Sequence, residues 1–299
     1  MRKWIVAAIC MCFFSEAGAD IIRFRIIVDT DGAADDLRAI CLLLANPEID
    51  ILAVVSSEGA LMSADATLKV KSLLHSFHRE NIPVGTGRDL NIAPPVWRRQ
   101  SELIEWGKAD KILPPQKTAR DLIVETLEKE AGADDKVIYL CLGALTNLSD
   151  VVTTYPNLCE RIGKVLWYGH SKLRAGSNYE NDKESAEKMF QRGIEMDVIS
   201  GMERSFVINE QYMNRLVAVN NPYADRIVKT HRGKALVSVV ASGHMRAWDD
   251  LLVVYLFAPE LYAILLRDST VTVYSLRDEE AVERSMEIIV EMLKGRVTH

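Results

Sequence analysis

The stretch IIVDTDGAADDLRAICLLL, residues 26–44, decides the fold. From Arg25 to Val28 the chain is mostly β-branched and apolar and reads as a buried strand. From Asp35 to Ala45 the residues Leu37, Ile40, Cys41 and Leu44 recur at helical spacing. Between these two runs one turn carries four aspartates, Asp29, Asp31, Asp35 and Asp36. A structural turn needs only one or two Asp or Gly, and carboxylates this close repel one another. The crowding points to a metal ion held by several of them, rather than to a solvated loop that ends in a helix cap.

Outward from this turn, short apolar runs alternate with helical patterns. The strand-like runs are 51–57, 82–87, 136–143, 164–169 and 197–201; the helical ones are 64–77, 117–131, 145–154 and 182–192. Beyond Phe206 the pattern is more helical, at 210–217, 225–230 and 249–257, before a strand-like run at 269–275 and an amphipathic helix at 280–293. No repeat, linker or low-complexity segment interrupts it. The alternation predicts one α/β domain over residues 20–299, with a mostly parallel central sheet flanked by helices and a site along the strand C-termini.

Composition agrees. The chain has 299 residues, of which 48% are apolar and 26% charged, enough for a sizeable core. Its net charge is −6, and basic residues come only in short clusters such as Arg98-Arg99, so there is no electrostatic footprint for nucleic acid. A small molecule is the expected partner. Residues 1–19 read as a secretory signal: Arg2 and Lys3, the apolar run Trp4 to Phe14, then Ala17-Gly18-Ala19 as an A-x-A cleavage site. That run falls short of the roughly 20 residues that span a bilayer, so no membrane association is expected after cleavage before Asp20. Cleavage removes Arg2, Lys3 and Glu16, a net +1, and leaves −7 on a periplasmic or secreted protein. Cys41, Cys141 and Cys159 remain, in apolar surroundings without metal spacing, so no disulfide framework is expected.

The motifs carry a resemblance. VDTDGAADD (28–36) resembles the D-x-D-P-G-x-D-D signature of the nucleoside hydrolases, the inosine-uridine-preferring family. Further blocks match in the same order: LLANPEIDILAVVSSEG (43–59), LGALTNLSDVVTTYPNLCERIGKVLWYG (142–169), which holds the G-x-L-T-N segment, and AWDDLLVVYLFAPEL (247–261). The resemblance implies one Ca²⁺ held by Asp31, Asp36, the carbonyl of Leu142 and Asp249, which suits an ion that takes about six to eight oxygen ligands. It also implies a ribose on the metal with Asp35 accepting a hydrogen bond from a hydroxyl, and Asp31 as the base for the attacking water. Asn178, in GSNYENDKESA (176–186), matches the family's E-F-N ribose-binding asparagine; its residue-level alternative is a loop asparagine that caps the next helix. A homo-oligomer, dimer or tetramer, is implied as well.

Departures from the pattern are specific. Gly32-Ala33 replaces Pro-Gly, Ala60 falls where an asparagine touches the sugar, and Gly176 falls at the glutamate of E-F-N. Trp248 stands where many relatives place a leaving-group histidine. The purine-specific branch resembles this chain in carrying tryptophan there, and clamps the base between two aromatic rings; the second ring would be Trp97, or else Trp106. His244 and His170 are alternative acids for the leaving group. The expected activity is calcium-dependent hydrolysis of ribonucleosides, purine preferred. Two other readings stand beside it. One is a haloacid-dehalogenase-like phosphatase, which the strand ending in DTDG also resembles, with Asp29 as nucleophile. The other is an exported protein that binds a riboside without cleaving it.

Overall fold

The strand expected at 25–28 runs from Phe24 to Thr30, and its last five residues are buried. The structure, a computed structural model, describes residues 22–108, 117–130 and 136–295, so the expected signal segment lies outside the described residues. Among these described residues nine strands form one sheet: β1 (Phe24–Thr30), β2 (Ile49–Ser56), β3 (Val84–Thr86), β4 (Lys117–Thr118), β5 (Val137–Cys141), β6 (Ile162–Tyr168), β7 (Met196–Ile199), β8 (Tyr262–Asp268) and β9 (Val271–Leu276). Their order is β4-β3-β2-β1-β5-β6-β7-β9-β8, parallel throughout except for the antiparallel β8–β9 pair. The chain steps outward from β1 to β4, then returns to the other flank of β1 as β5. That reversal opens a crevice at the carboxyl ends of β1 and β5, where ligands bind in open α/β sheets. Asp29 pairs with Val55 on one side and Cys141 on the other, so three strand ends finish flush beside the aspartate turn.

Among the described residues twelve α-helices connect and cover the strands: α1 (Ala34–Ala45), α2 (Ser63–Ser76), α3 (Arg98–Leu103), α4 (Ala119–Glu130), α5 (Thr146–Thr154), α6 (Ser177–Asn181), α7 (Lys183–Phe190), α8 (Glu210–Val217), α9 (Pro222–His231), α10 (Val237–Ser242), α11 (Asp250–Phe257) and α12 (Glu279–Leu293). Side-chain alternation along β1 divides the core in two. Ile26 and Val28 pack with Leu37 and Ile40 of α1, Val70 of α2, Leu251 of α11 and Ile289 of α12. Ile27 packs on the other face with Leu122 of α4, Leu148 of α5 and Met189 of α7. Cys41 and Cys141 are buried, one in each cluster. Both faces of β1 are therefore dry, which explains its continuous apolar run. Among the described residues no helix is long and apolar enough to cross a membrane.

Three local readings change. Residues 117–118, expected to open a helix, instead extend the sheet as β4. Short helices of five or six residues, α3, α6 and α10, stand where no element was expected, being too short to show helical periodicity. β8 was not expected at all. Its consecutive Ile264, Leu265 and Leu266 break the two-residue alternation of a half-buried strand. All three are exposed, because β8 is the sheet's edge.

Candidate active site

Local backbone chemistry builds the aspartate turn. Gly32 takes a left-handed conformation at φ 81°, and a β-carbon there would come within 2.9 Å of Ala66 and Leu61. Asp36 sits in the first turn of α1, where the positive end of the helix favours a carboxylate. Its Oδ2 accepts from the Thr30 hydroxyl (2.6 Å) and from the Asp31 N–H (3.0 Å). Asp31 in turn accepts from the Ala33 N–H (3.2 Å). Its Oδ2 lies so close to Gly59, in the turn after β2, that a β-carbon there would stand 2.1 Å away. Asp29 faces away into the core, fully buried, holding the Tyr139 hydroxyl (2.6 Å) and the Asn147 amide. Burial pushes its pKa up to about 7. A locked interior aspartate that does not border the cavity is no nucleophile, which removes the phosphatase reading.

Asp35, Asp36 and Asp249 each bring an oxygen within 4.8 Å of the others. This trio has Asp35 where the resemblance implies Asp31, which stands beside it on the same cavity. Burial, and next the neighbouring Asp36 carboxylate, push Asp31 and Asp249 well above the usual carboxylate range and Asp35 to about 7. Asp249 Oδ1 is buried with no hydrogen-bond partner among the described residues. Mutually repelling carboxylates and an unsatisfied buried oxygen fit a hard dication, whose charge reverses the local balance. The all-oxygen set suits Ca²⁺, Mg²⁺ or Mn²⁺.

A cavity of about 530 Å³ opens on these groups. Asp31, Asp35, Asp36, Trp97, Leu142, Asn178, Trp248 and Asp249 all line it. Eight residues singled out from sequence, spread over more than two hundred positions, thus share one wall. Asn178 does not cap the next helix; Asp182 does, accepting from the Ser185 N–H. The Asn178 amide donates to the carbonyls of Leu142 (2.6 Å) and Tyr168 (3.1 Å), tying the ends of β5 and β6 together. A carbonyl oxygen has a second lone pair, so Leu142 remains able to meet a cation. Ala60 and Gly176, two of the departures, also border the cavity and give it no polar side chain.

Trp97 and Trp248 are partly exposed, at 45% and 36%, on the cavity. Trp106 is buried in the core, edge-on to His231 with centroids 5.9 Å apart, and takes no part in the cavity. His170 and His244 line it. The Lys172 N–H donates to His170 Nδ1 (3.1 Å), so the neutral ring carries its proton on Nε2.

Sequence reading missed the supports. Glu58, buried, accepts from the N–H groups of Leu90 and Asn91 (2.5 and 2.8 Å) and from Arg98 (3.2 Å), which also donates to the Gly59 carbonyl. This holds the segment bearing Trp97 over the turn that seats Asp31. Arg38 was missed too, and its signal was a charge inside the apolar run of α1.

The comparisons with known proteins agree with this geometry. The model of the inosine-uridine preferring nucleoside hydrolase family matches residues 26–298. The pyrimidine-specific ribonucleoside hydrolase RihA of Escherichia coli is 29% identical over 264 residues, covering 81% of this chain and 82% of the relative. The plant nucleoside hydrolase PpNRh1 superposes with a TM-score of 0.74 at 19% identity, over 91% of this chain and 99% of that one. The purine-preferring ribonucleoside hydrolase of Gardnerella vaginalis gives 0.66 at 18%, over 90% and 99%. At those identities the two structures speak for the fold alone. The family match over nearly the whole chain decides the matter: this protein belongs to the inosine-uridine preferring nucleoside hydrolase family and is an enzyme of that ribonucleoside-hydrolysing class.

Proposed function

We propose that the protein uses Ca²⁺ to hydrolyse the N-glycosidic bond of ribonucleosides, purines preferred, to free base and ribose. The observation that carries this is the trio Asp35, Asp36 and Asp249, with its partnerless buried oxygen, on a cavity that Trp97 and Trp248 also line. Asp36, Asp249 and the Leu142 carbonyl would hold the ion, with Asp31 or Asp35 completing the protein ligands and leaving room for waters and sugar hydroxyls. When bound, Ca²⁺ supplies charge that neutralises the carboxylates and a Lewis-acid contact for oxygen ligands.

The remaining steps belong to the chain. Asp35 accepts a hydrogen bond from a ribose hydroxyl. Asp31 takes a proton from the attacking water as the water oxygen bonds to C1′ and the C1′–N bond breaks, its electron pair leaving with the base. Positive charge that develops on the sugar is stabilised by the carboxylate cluster. Trp97 and Trp248 stack on the base and raise its basicity, so that solvent can protonate it.

A second reading, pyrimidine preference, is favoured by the 29% identity to a relative named pyrimidine-specific. A base-release assay over purine and pyrimidine ribonucleosides, with the metal content of the same sample measured, tests both. Release from none of them in a calcium-loaded sample would leave the binding-only reading. We also infer export through residues 1–19 and assembly into a homo-oligomer, the latter tested by light scattering.

A further inference from the structure

We propose that Arg38 and Asp250, completed by His231, are positioning residues that set Asp36 and Asp249 at the spacing a divalent cation needs. Asp36 lies two residues before Arg38 in α1, and Asp249 immediately precedes Asp250 at the start of α11. Arg38 grips Asp250 with both prongs, Nε to Oδ1 at 2.7 Å and Nη2 to Oδ2 at 2.6 Å, and both side chains are fully buried. Nη2 also donates to the Arg246 carbonyl (3.0 Å), and Nη1 to His231 Nε2 (2.9 Å). His231 donates from Nδ1 to the Ile227 carbonyl (2.8 Å), which fixes the tautomer that leaves Nε2 free to accept. One guanidinium thus joins α1, α9, the segment before α11 and α11 itself.

The fork bears on the site because carboxylates on α1 and α11 repel each other where the two helices meet. Arg38 binds the residue next to Asp249 and holds the helices together against that repulsion. It also neutralises Asp250, so that the negative charge left over belongs to the trio. Stability alone does not call for such a pair, since buried ion pairs replaced by packed apolar residues of similar volume are often as stable or more so. Fixing register is the best-attested use of a buried pair, and here the register is that of the carboxylates.

This inference rests on the metal reading, and the test separates the two. The probe is Ca²⁺ alone, titrated calorimetrically into the wild type, Asp249→Asn, the double variant Arg38→Met/Asp250→Leu, and Arg38→Lys, with thermal unfolding followed for each. The wild type should bind and Asp249→Asn should lose most of its affinity. The double variant should unfold cooperatively yet bind at least about tenfold more weakly, the loss typical when partners behind metal ligands are removed. Arg38→Lys, which keeps the charge but not the fork, should weaken binding in the same way. If the wild type binds and the folded double variant binds equally well, the positioning role is overturned and the metal reading stands. If the double variant does not fold, unchanged affinity in Arg38→Lys overturns it instead. A wild type that takes up no divalent cation brings down the metal reading, and this inference with it.

Discussion

The carboxylate of Asp31 lies directly against the α-carbon of Gly59, where a β-carbon would meet Oδ2 at 2.1 Å. Two strand ends, those of β1 and β2, therefore fit together only because one of them lacks a side chain. Gly59→Ala should displace Asp31 while leaving both cores untouched. Misplacing a catalytic group by about 1 Å can cost roughly 10²-fold in rate. We expect a loss of that order in kcat with little change in KM, measured by steady-state base release, and thermal unfolding close to wild type. A kcat within a factor of about two would show that Asp31 is not the base.

Removing the metal should cost stability as well as activity. Without a cation the carboxylates of Asp35, Asp36 and Asp249 face each other, and Asp249 Oδ1 has no partner. Adding Ca²⁺ to chelator-treated protein should raise its unfolding temperature, by about 2.7 kcal/mol of stability at a hundredfold excess over Kd. Asp36→Ala should lose that shift. An identical shift in Asp36→Ala would remove it from the ligand set.

Acid should weaken the fold through His231. Burial, and next Arg38, lower its pKa from 6.5 to about 3, so the folded protein keeps it neutral while the unfolded chain protonates it below 6.5. This contribution is present in full above pH 6.5 and is lost as pH falls toward 3, at about 1.4 kcal/mol per unit. The buried aspartates act in the opposite direction: Asp29 and Asp35, raised to about 7, and Asp31 and Asp249, raised well above the usual carboxylate range, lose stability as pH rises. The two effects are separated by comparing wild type with His231→Gln. Between pH 7 and 5 the wild type should lose roughly 2 kcal/mol more than the variant, read from urea midpoints. Equal losses would mean that His231 is protonated in the fold.

Base preference turns on Trp248. Stacking of a base on an aromatic ring is worth about 1–3 kcal/mol, and a purine offers the larger face. Inosine, adenosine or guanosine should be cleaved faster than uridine or cytidine, and Trp248→Ala should cost purine turnover most. His170→Ala and His244→Ala should change little if solvent protonates the base. Equal losses on both classes in Trp248→Ala, or a wild-type preference for uridine, would dismiss the aromatic clamp.

Protein recovered from its native host should begin at Asp20 by mass spectrometry. An intact Met1 terminus in a cytoplasmic fraction would refute export.

Most of the sheet, and the residues that meet on the cavity, are legible in the sequence. β1 is legible because both of its faces are buried, and a doubly buried strand leaves an unbroken apolar run. The four aspartates are legible because no turn needs so many. Trp248 and Asp249 are legible from their adjacency to one another and from the order of the motif blocks. Tertiary structure alone decided the rest, because contacts between distant residues leave no periodic mark. Arg38 and Asp250 are 212 positions apart, and Glu58 and Arg98 meet only when the loop after β3 folds back over β2. Trp97 and Trp106 look alike in sequence, yet one borders the cavity and the other fills the core. Edge strand β8 hid for the converse reason: it buries too little to impose alternation, and only its hydrogen bonds to β9 make it a strand.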